Sequence, residues 1–395
     1  MTQEQAKRLL TINTGSSSLK AALYEMGQAD RLDLAAQADR IGQSGSRIRI
    51  TDAQGKTLLD EQRELKNHEA ALQALFDWLQ VHAPGKKLDA VGHRVVHGGS
   101  RYSAPQLIDD DLVRTLQELV PIDPNHLPQA IGAIQTVTRL HPNLPQAACF
   151  DTAFHRTMPR VAQMFALPRA YWDAGVVRYG FHGLSYEYIM QELRAQDSAA
   201  AGGRVIIAHL GNGASMAAVL GGRGVDTTMG FTPTGGLVMG TRTGDLDPGV
   251  LLYLLDSRGM NPAALNTLVN RQSGLLGVSG ISADMQDLLE KASSDERAAQ
   301  AIDLFCYQAK KYVGAFAAAL GGLDTLVFTG GIGEHAAPVR QRICEGLEFL
   351  SIALNEERNK EHAQIISRDN SPAVVRVMKT NEDLMIARHT YRLVS

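Results

Sequence analysis

The sequence of 395 residues has few cysteines, no long apolar run and no excess of basic residues. Cys149, Cys306 and Cys344 are odd in number, far apart and not in C-x-x-C spacing, which favours free thiols in a reducing compartment. The net charge of -3 argues against nucleic acid as the main partner. No apolar run approaches the ~20 residues that span a bilayer, and the polar residues 1–8 lack the apolar stretch of a signal peptide. We therefore expect a cytoplasmic protein that does not enter a membrane.

Several motifs of nucleotide-binding proteins and hydrolases are also missing. Gly55-Lys56-Thr57 resembles the end of a Walker A loop, but Ile50 stands where that loop needs its first glycine. No G-x-G-x-x-G opens a helix after the first predicted strand, and neither H-E-x-x-H nor G-x-S-x-G occurs. The sequence therefore lacks the main motif of four classes: P-loop proteins, standard dinucleotide-binding proteins, metalloproteases and serine hydrolases.

The composition is that of a globular protein large enough for two domains. Apolar residues make up 44% and charged residues 21% of the chain. Predicted strands alternate with predicted helices, which favours an α/β architecture. Strands are expected at residues 9–12, 21–24, 46–51, 88–96, 147–150, 205–208, 216–220 and 325–328. Helices are expected after an N-cap at Asn67 and near residues 112–119, 131–137, 298–320 and 384–391.

Two turns rich in small polar residues each join a pair of apolar strands. The first contains Gly15 and three serines, and the second contains Gly211-Asn212-Gly213. Small side chains let backbone N–H groups approach an anion closely. A plain hairpin turn is the alternative for each, but Asn13 and Lys20 flank the first turn and favour phosphate binding. The pair predicts a nucleotide-using enzyme with two similar domains.

Basic residues stand in three further segments that contain glycine. Arg94 ends a predicted strand that leads into His97-Gly98-Gly99, Arg242 lies in a glycine-bounded loop, and His182 precedes Gly183. An internal ion pair, such as Arg242 with Asp245, would also explain an arginine, and a lone histidine is more often structural. Cations at buried strand ends nevertheless suit the binding of small anions.

Seven segments together resemble the acetate kinase family, in that family's order across nearly the whole chain. They are residues 11–20, 93–99, 178–183, 209–215, 239–248, 329–334 and 380–388. The resemblance implies a two-domain, actin-like ATPase fold, in which a ribonuclease H-like βββαβαβα unit is duplicated around a ligand cleft. It implies an N-terminal acid-substrate and phosphate domain, residues 1–153 with a closing helix in 383–395. Residues 154–382 would form a nucleotide-binding and dimerisation domain.

The resemblance also implies an activity and its cofactors. The expected reaction is the reversible transfer of the ATP γ-phosphoryl group to acetate, giving acetyl phosphate and ADP. Mg²⁺ or Mn²⁺ would be the cofactor, a small carboxylate and ATP the binding partners, and a homodimer the assembly.

By the same resemblance, individual residues take roles in the site. Catalysis is assigned to Asp151, Arg94, His182 and Arg242. The acid substrate is assigned to Arg94, Val96, His126, Phe181 and Pro233. The metal is assigned to Asn13 and Glu382. The nucleotide is assigned to Ser16, Ser18, Lys20, His209, Leu210, Gly211, Asn212, Gly213, Asp284, Met285, Gln286, Gly331, Ile332, Gly333, Glu334 and His335.

Asp151 matches the residue of the family that is called catalytic, but a general base is not needed here. A small carboxylic acid resembles a side-chain carboxyl with a pKa of roughly 4 and is already ionised at neutral pH. We therefore expect Asp151 to orient the metal or the substrate; a plain helix cap is the structural alternative. The chain departs from the family at Tyr186, where a histidine is common, and at Gln286, where an arginine is common.

Three other functions remain open. A propionate or butyrate kinase would use the same chemistry with a roomier slot, because one methylene changes discrimination by only about 1–3 kcal/mol. A nucleotide-driven interaction module, like actin or the chaperone ATPases, belongs to another class, but the two arginines suit a small anion better. A sugar kinase is less favoured, since the motifs supply cations and no evident polyol-binding set.

Overall fold

The computed structural model describes residues 6–82 and 87–395. Five of the polar residues 1–8 lie outside the described residues. The described chain divides into two compact units, which we treat separately. The first comprises the residues up to Ala153 together with Asn381–Ser395, and the second is Phe154–Thr380. No helix in the described ranges has the length and apolarity that a membrane crossing requires.

The first unit is an eight-stranded sheet with helices. Its strands are β1 (Lys7–Thr14), β2 (Leu19–Met26), β3 (Arg31–Asp39), β4 (Arg47–Asp52), β5 (Thr57–Gln62), β6 (Ala90–Val95), β7 (Gln106–Leu107) and β8 (Gln146–Phe150). Its helices are α1 (His68–His82), α2 (Asp110–Leu119), α3 (Leu127–Leu140) and α16 (Glu382–Val394). The strand order is β5-β4-β3-β2-β1-β6-β8-β7.

The second unit is a five-stranded sheet with more helices. Its strands are β9 (Arg204–Leu210), β10 (Ala214–Leu220), β11 (Arg223–Thr227), β12 (Thr325–Thr329) and β13 (Val374–Val377), in the order β11-β10-β9-β12-β13. Its helices are α4 (Arg160–Gln163), α5 (Arg169–Asp173), α6 (Gly183–Gln196), α7 (Ser198–Gly202), α8 (Pro248–Leu252), α9 (Pro262–Arg271), α10 (Gly274–Ser279), α11 (Met285–Lys291), α12 (Glu296–Leu320), α13 (Gly330–His335), α14 (Ala337–Cys344) and α15 (Glu356–Lys360). A π-helical turn at Tyr253–Ser257 extends α8.

The five strands of the second sheet repeat the arrangement of five strands of the first, β3-β2-β1-β6-β8. In the first, β1 pairs antiparallel with β2 and parallel with β6, which pairs parallel with β8. In the second, β9 pairs antiparallel with β10 and parallel with β12, which pairs parallel with β13. The predicted α/β architecture and the two predicted strand–turn–strand segments are thereby confirmed.

The predicted helices form because each buries an apolar face. In α12, Ile302, Phe305, Ala309 and Val313 are all buried, and Gly321 ends the helix in the left-handed conformation. At the start of α1, the side chain of Asn67 accepts a hydrogen bond from the Ala70 N–H at 2.9 Å, as predicted for an N-cap.

Helices cover both faces of the central strands in the first unit. Leu10 and Ile12 of β1 share a buried cluster with residues of α1 and α3, while Leu9 shares another with Ala387 of α16. Gly92 of β6 lets α16 approach closely, because a Cβ there would lie 2.6 Å from Ile386 Cγ2. This close packing positions the first residue of α16, Glu382.

Candidate active site

In the first unit, four predicted site residues meet at the carboxyl ends of parallel strands. Arg94 lies near the end of β6, Asp151 follows β8 directly, and Asn13 lies near the end of β1. The Arg94 guanidinium donates to Asp151 through Nε at 3.1 Å and Nη2 at 2.6 Å. Its Nη1 lies 3.2 Å from a carboxylate oxygen of Glu382 and 3.4 Å from Asn13 Oδ1. Ligands of open α/β sheets bind at this edge.

The cluster carries more negative than positive groups. Burial by itself would lower the pKa of Arg94, but Asp151, Glu382 and Asp383 together raise it, so the guanidinium stays charged. Burial raises the pKa of Asp151, and the charge of Arg94 opposes this shift only in part. Burial, reinforced by Glu382, raises the pKa of Asp383 to about 6. Three carboxyl groups thus surround Arg94, and Asp383 also feels the charge of Lys20.

This donor set fits a hard divalent cation. The carboxylate of Glu382 and the amide oxygen of Asn13 are the oxygen ligands that Mg²⁺ prefers, and a divalent charge would offset the excess of carboxylates. In the part of the chain that the structure describes, no three His, Cys, Asp or Glu side chains could hold a metal by themselves.

The first glycine–serine turn lies between β1 and β2, next to this cluster. The Gly15 N–H donates to the Ser18 carbonyl at 2.8 Å. His68, at the start of α1, bonds through Nε2 to the carbonyls of Gly15 at 2.8 Å and Ser18 at 3.2 Å. His68 thereby fixes the turn. His68 was not predicted, because a histidine after a helix N-cap carries no motif.

The first unit also holds two residues predicted to contact the acid. Val96, which follows β6, is half-buried. His126 precedes α3 and bonds through Nδ1 to Asp123 at 2.7 Å, with 23% of its side chain exposed. The Asp123 carboxylate is buried, so it holds the imidazole in one orientation.

In the second unit, His182 and His209 form a stacked pair. Their ring centroids are 4.4 Å apart with an interplanar angle of 25°. His182 stands before α6 with φ of 58°, a left-handed conformation that is unusual for a residue with a side chain. Its Nδ1 is hydrogen-bonded to Ser215 Oγ at 2.8 Å. Strained backbone of this kind is concentrated at functional sites.

Arg242 lies beside the second glycine turn. A Cβ on Gly213 would be 3.5 Å from His182 Nε2 and 3.8 Å from Arg242 Nη1, so both side chains border this turn. Arg242 Nη1 donates to the Pro233 carbonyl at 2.9 Å. The Gly240 N–H donates to the Asn212 carbonyl at 2.9 Å, which ties the Arg242 loop to the turn.

Asp245 was the alternative ion-pair partner for Arg242. Its carboxylate accepts a hydrogen bond from the Gly236 N–H at 2.8 Å and another from the Tyr312 hydroxyl. Asp245 therefore stabilises the fold of the loop that carries Arg242.

The segment after β12 forms the short helix α13. The Glu334 carboxylate accepts from the N–H groups of Gly330 at 3.0 Å and Thr380 at 3.3 Å. Gly331 has open space around its Cα, and His335 is exposed. Ile332 is half-buried in the same helix, whereas Gly333 is buried and its carbonyl accepts from Arg340.

Arg340, which was also not predicted, holds α13 through hydrogen bonds to its carbonyl groups. Its fully buried guanidinium donates to the carbonyls of Gly333 and Glu334 at 2.8 and 2.9 Å and to both oxygens of Asn359. Burial lowers its pKa to about 10. Nothing in the sequence distinguishes this arginine from the exposed ones.

Some predicted nucleotide residues have their side chains in the core. Leu210 and Met285 are buried, so only their backbone groups are available to a ligand. Asp284 caps α11 by accepting from the Gln286 N–H at 2.7 Å, while Gln286 itself donates to Glu290. Phe181 is buried in the same unit.

Two α/β units that repeat the same five-stranded arrangement give the chain an actin-like fold, and its similarity to acetate and propionate kinases identifies it as a phosphotransferase. The model of the acetokinase family matches residues 8–388. The chain therefore belongs to the acetokinase family, as the seven motifs predicted.

Individual relatives agree with this assignment. An acetate kinase of Rhodopseudomonas palustris is 48% identical over 391 residues, which cover 98% of each chain. The crystal structure of Porphyromonas gingivalis acetate kinase is 36% identical with a TM-score of 0.89, and a propionate kinase from Francisella tularensis is 35% identical with a TM-score of 0.92. Both structures match 98% of this chain over their full length.

Proposed function

We propose that this chain catalyses the reversible transfer of the γ-phosphoryl group of ATP to acetate, giving acetyl phosphate and ADP. The observation that carries the proposal is the Arg94 guanidinium, held in place by Asp151 at the strand ends of a chain of the acetokinase family. An arginine of this kind binds a carboxylate through two parallel hydrogen bonds and stays charged.

The reaction needs positioning and charge stabilisation more than proton transfer. A carboxylate oxygen of acetate forms a bond to the γ-phosphorus while the bond from phosphorus to the bridging oxygen of ADP breaks. Acetate enters already ionised, so no proton has to be removed. Arg94 holds the acid, and Arg242 and His182 stabilise the charge on the transferring group. An arginine in this role is worth roughly 10³–10⁵ in rate.

Asp151 orients Arg94 in this mechanism. Both of its oxygens accept from that guanidinium, which supports positioning over action as a base. Asn13 and Glu382 would hold Mg²⁺, which neutralises phosphate charge when bound. In Asp151→Asn we expect weaker Mg²⁺ activation and a lower kcat with the acidic limb of the pH–rate profile retained. Loss of that limb would identify a base.

The nucleotide residues belong to the two turns and to α13. We assign Lys20, Ser16 and Ser18 of the first unit to the phosphates. The backbone of the second turn and of α13 and α11 is assigned to the rest of the nucleotide. Bare glycine backbone at Gly331 and Gly213 supports this assignment.

Acyl phosphate formation, trapped as the hydroxamate, tests the function directly. We expect ATP-dependent product with acetate, less with propionate and least with butyrate. The similarity to the Francisella tularensis propionate kinase makes propionate the second candidate acid. A higher kcat/KM for propionate than for acetate would select that function. The absence of any acyl phosphate, with ATP still bound, would favour a nucleotide-driven interaction module.

The size of the acid slot is tested at Val96, which we assign, with His126, Phe181 and Pro233, to contact with the acid. Val96→Ala removes two methyl groups and is expected to raise the propionate-to-acetate ratio of kcat/KM several-fold, within the 1–3 kcal/mol range of one methylene. An unchanged ratio would contradict the assignment.

We further propose that the protein is a homodimer. We also propose that it works in a reducing, cytoplasmic compartment. The second unit leaves several large apolar side chains exposed, namely Leu246, Val250, Leu252, Tyr253, Val278 and Tyr307. Light scattering should give twice the chain mass, and Leu252→Glu should lower it. The three free cysteines support a reducing compartment.

A further inference from the structure

The stacked histidines of the second unit are held by two similar pairs of hydroxyl groups. His182 Nδ1 is bonded to Ser215 Oγ at 2.8 Å, and Ser215 is bonded in turn to the hydroxyl of Tyr186. His209 Nδ1 is bonded to Ser185 Oγ at 2.8 Å, and Ser185 is bonded to Thr380 Oγ1 at 2.8 Å. Only the first pair includes a phenol.

The phenol favours one donor direction in the hydrogen bond between Tyr186 and Ser215. A phenolic O–H, with a pKa near 10, donates more strongly and accepts less readily than an aliphatic hydroxyl. With Tyr186 as the donor to Ser215 Oγ, the single proton of Ser215 is left to donate to His182 Nδ1. A neutral imidazole that accepts at Nδ1 carries its proton on Nε2.

We propose that Tyr186 is a positioning residue that acts through Ser215 to hold His182 in its Nε2–H tautomer. Tyr186 and Ser215 are both fully buried, so water does not compete for these hydrogen bonds. Tyr186 belongs to the same buried cluster as Ile189, Val205 and Ala217. The residue that departs from the usual family pattern thus has a defined task.

The tautomer decides what His182 presents to a ligand. His182 Nε2 and Arg242 Nη1 both lie near Gly213, where an Nε2–H group adds a second donor to that of the guanidinium. An unprotonated Nε2 would instead direct a lone pair at anionic oxygens. The inference rests on the proposed phosphoryl transfer for its effect on rate, but the tautomer itself is a property of the protein alone.

The experiment reads the tautomer and the rate separately. Ring-¹⁵N histidine labelling and multiple-bond ¹H–¹⁵N spectra distinguish the two tautomers, and His182→Gln assigns the His182 signals. In Tyr186→Phe we expect the His182 tautomer ratio to shift roughly 2- to 10-fold away from Nε2–H, the worth of one neutral hydrogen bond. kcat for acyl phosphate formation should fall in the same variant, with KM for acetate and ATP changed less than twofold.

Two further variants separate positioning from packing. Ser215→Ala should shift the ratio in the same direction, and Ser215→Thr, which keeps a hydroxyl, should restore it. Tyr179→Phe is the matched control, because it removes a buried hydroxyl that donates to the Gly175 carbonyl at 2.8 Å. It should leave the His182 signals unchanged.

The outcomes are distinct. An unchanged tautomer ratio in Tyr186→Phe overturns the proposal, even if kcat falls, because packing would then be the cause. A shifted tautomer ratio with an unchanged kcat also overturns the proposal, because the Nε2–H tautomer of His182 would then not matter for the reaction. A wild-type protein that makes no acyl phosphate contradicts the proposed function instead, and the spectra still report whether Tyr186 sets the tautomer.

Discussion

Arg94 meets two carboxylates and an amide oxygen with one planar group, which an ammonium cannot do. In Arg94→Lys the charge remains, but the paired hydrogen bonds to Asp151 and the reach to Asn13 are lost. We expect kcat/KM for acetate to fall roughly 10³-fold, measured by the hydroxamate assay under saturating ATP.

The matched control is Arg101→Lys in the same unit. Arg101 also donates to a carboxylate, that of Asp111 at 2.7 Å, but 58% of its side chain is exposed. Its replacement should change kcat/KM less than twofold. A loss of similar size in both variants would mean that the effect of Arg94→Lys is not specific to the cluster.

His93, next to Arg94, makes the first unit sensitive to acid. Its Nε2 is hydrogen-bonded to Gln146 at 2.7 Å, the residue is 1% exposed, and burial lowers its pKa to about 4. Because this lies below the unfolded value near 6.5, the stabilisation by neutral His93 is complete above pH 6.5 and is lost as the pH falls towards 4. The loss between pH 7 and pH 5 is about 2 kcal/mol.

Hydrogen exchange of the β6 and β8 amides measures this loss within the unit. The opening free energy of these strands should fall by about 2 kcal/mol more in the wild type than in His93→Gln over that pH interval. The β9 amides of the second unit, which has its own buried His155, should respond alike in both proteins. If the opening free energy of the β6 amides falls equally in the wild type and in His93→Gln, His93 does not control the acid response.

Residues in motifs could be predicted, whereas residues that support the motifs could not. Arg94, Asp151 and Asn13 were assigned by the resemblance, and their contacts are those of one cluster. His68 and Arg340 fix predicted turns through carbonyl oxygens, and any nearby donor could do this. Which donor does so depends on tertiary packing, so no local pattern marks it.

At the scale of elements, the close contact between β6 and α16 links the sheet to Glu382. In Gly92→Ala the added methyl group would meet Ile386 and Thr390. Such overpacking costs about 1–3 kcal/mol, and α16 has to move to relieve it. We expect a lower thermal midpoint and a several-fold higher Mg²⁺ concentration for half-maximal activity.

Gly132→Ala in α3 is the control for this substitution. A Cβ there meets nothing within 4 Å, and alanine is favoured over glycine in a helix by about 0.5–1 kcal/mol. It should keep or raise the thermal midpoint and leave the Mg²⁺ response unchanged. An unchanged Mg²⁺ response in Gly92→Ala would contradict the prediction that the packing of α16 on β6 positions Glu382.

Long amphipathic and buried elements were predictable because their own spacing specifies them. The predicted helix 298–320 corresponds to α12, and the predicted strands 9–12 and 205–208 correspond to β1 and β9. The short helix α13 was not predicted, since its glycines have low helix propensity. It is stabilised instead by Arg340 and Glu334, which act through tertiary contacts.

At the scale of the whole molecule, the three cysteines provide one reporter for the first unit and two for the second. Cys149 lies in β8, while Cys306 and Cys344 lie in α12 and α14. All three are free and buried, and burial raises the pKa of both Cys306 and Cys344 to about 12. Thiolate is the reactive form, so the folded protein should resist a thiol reagent at pH 8.

Pulse labelling across a urea series then follows each unit in the intact chain. Cys306 and Cys344 should become reactive at one urea concentration, because both pack in the same cooperative unit, whereas Cys149 should follow a separate midpoint set by its own core. ATP at about 1,000 times its Kd stabilises whichever unit binds it by about 4 kcal/mol. We expect the Cys306 and Cys344 midpoint to rise with ATP. Different midpoints for these two cysteines would contradict a single second unit, and a rise confined to Cys149 would contradict the nucleotide assignment.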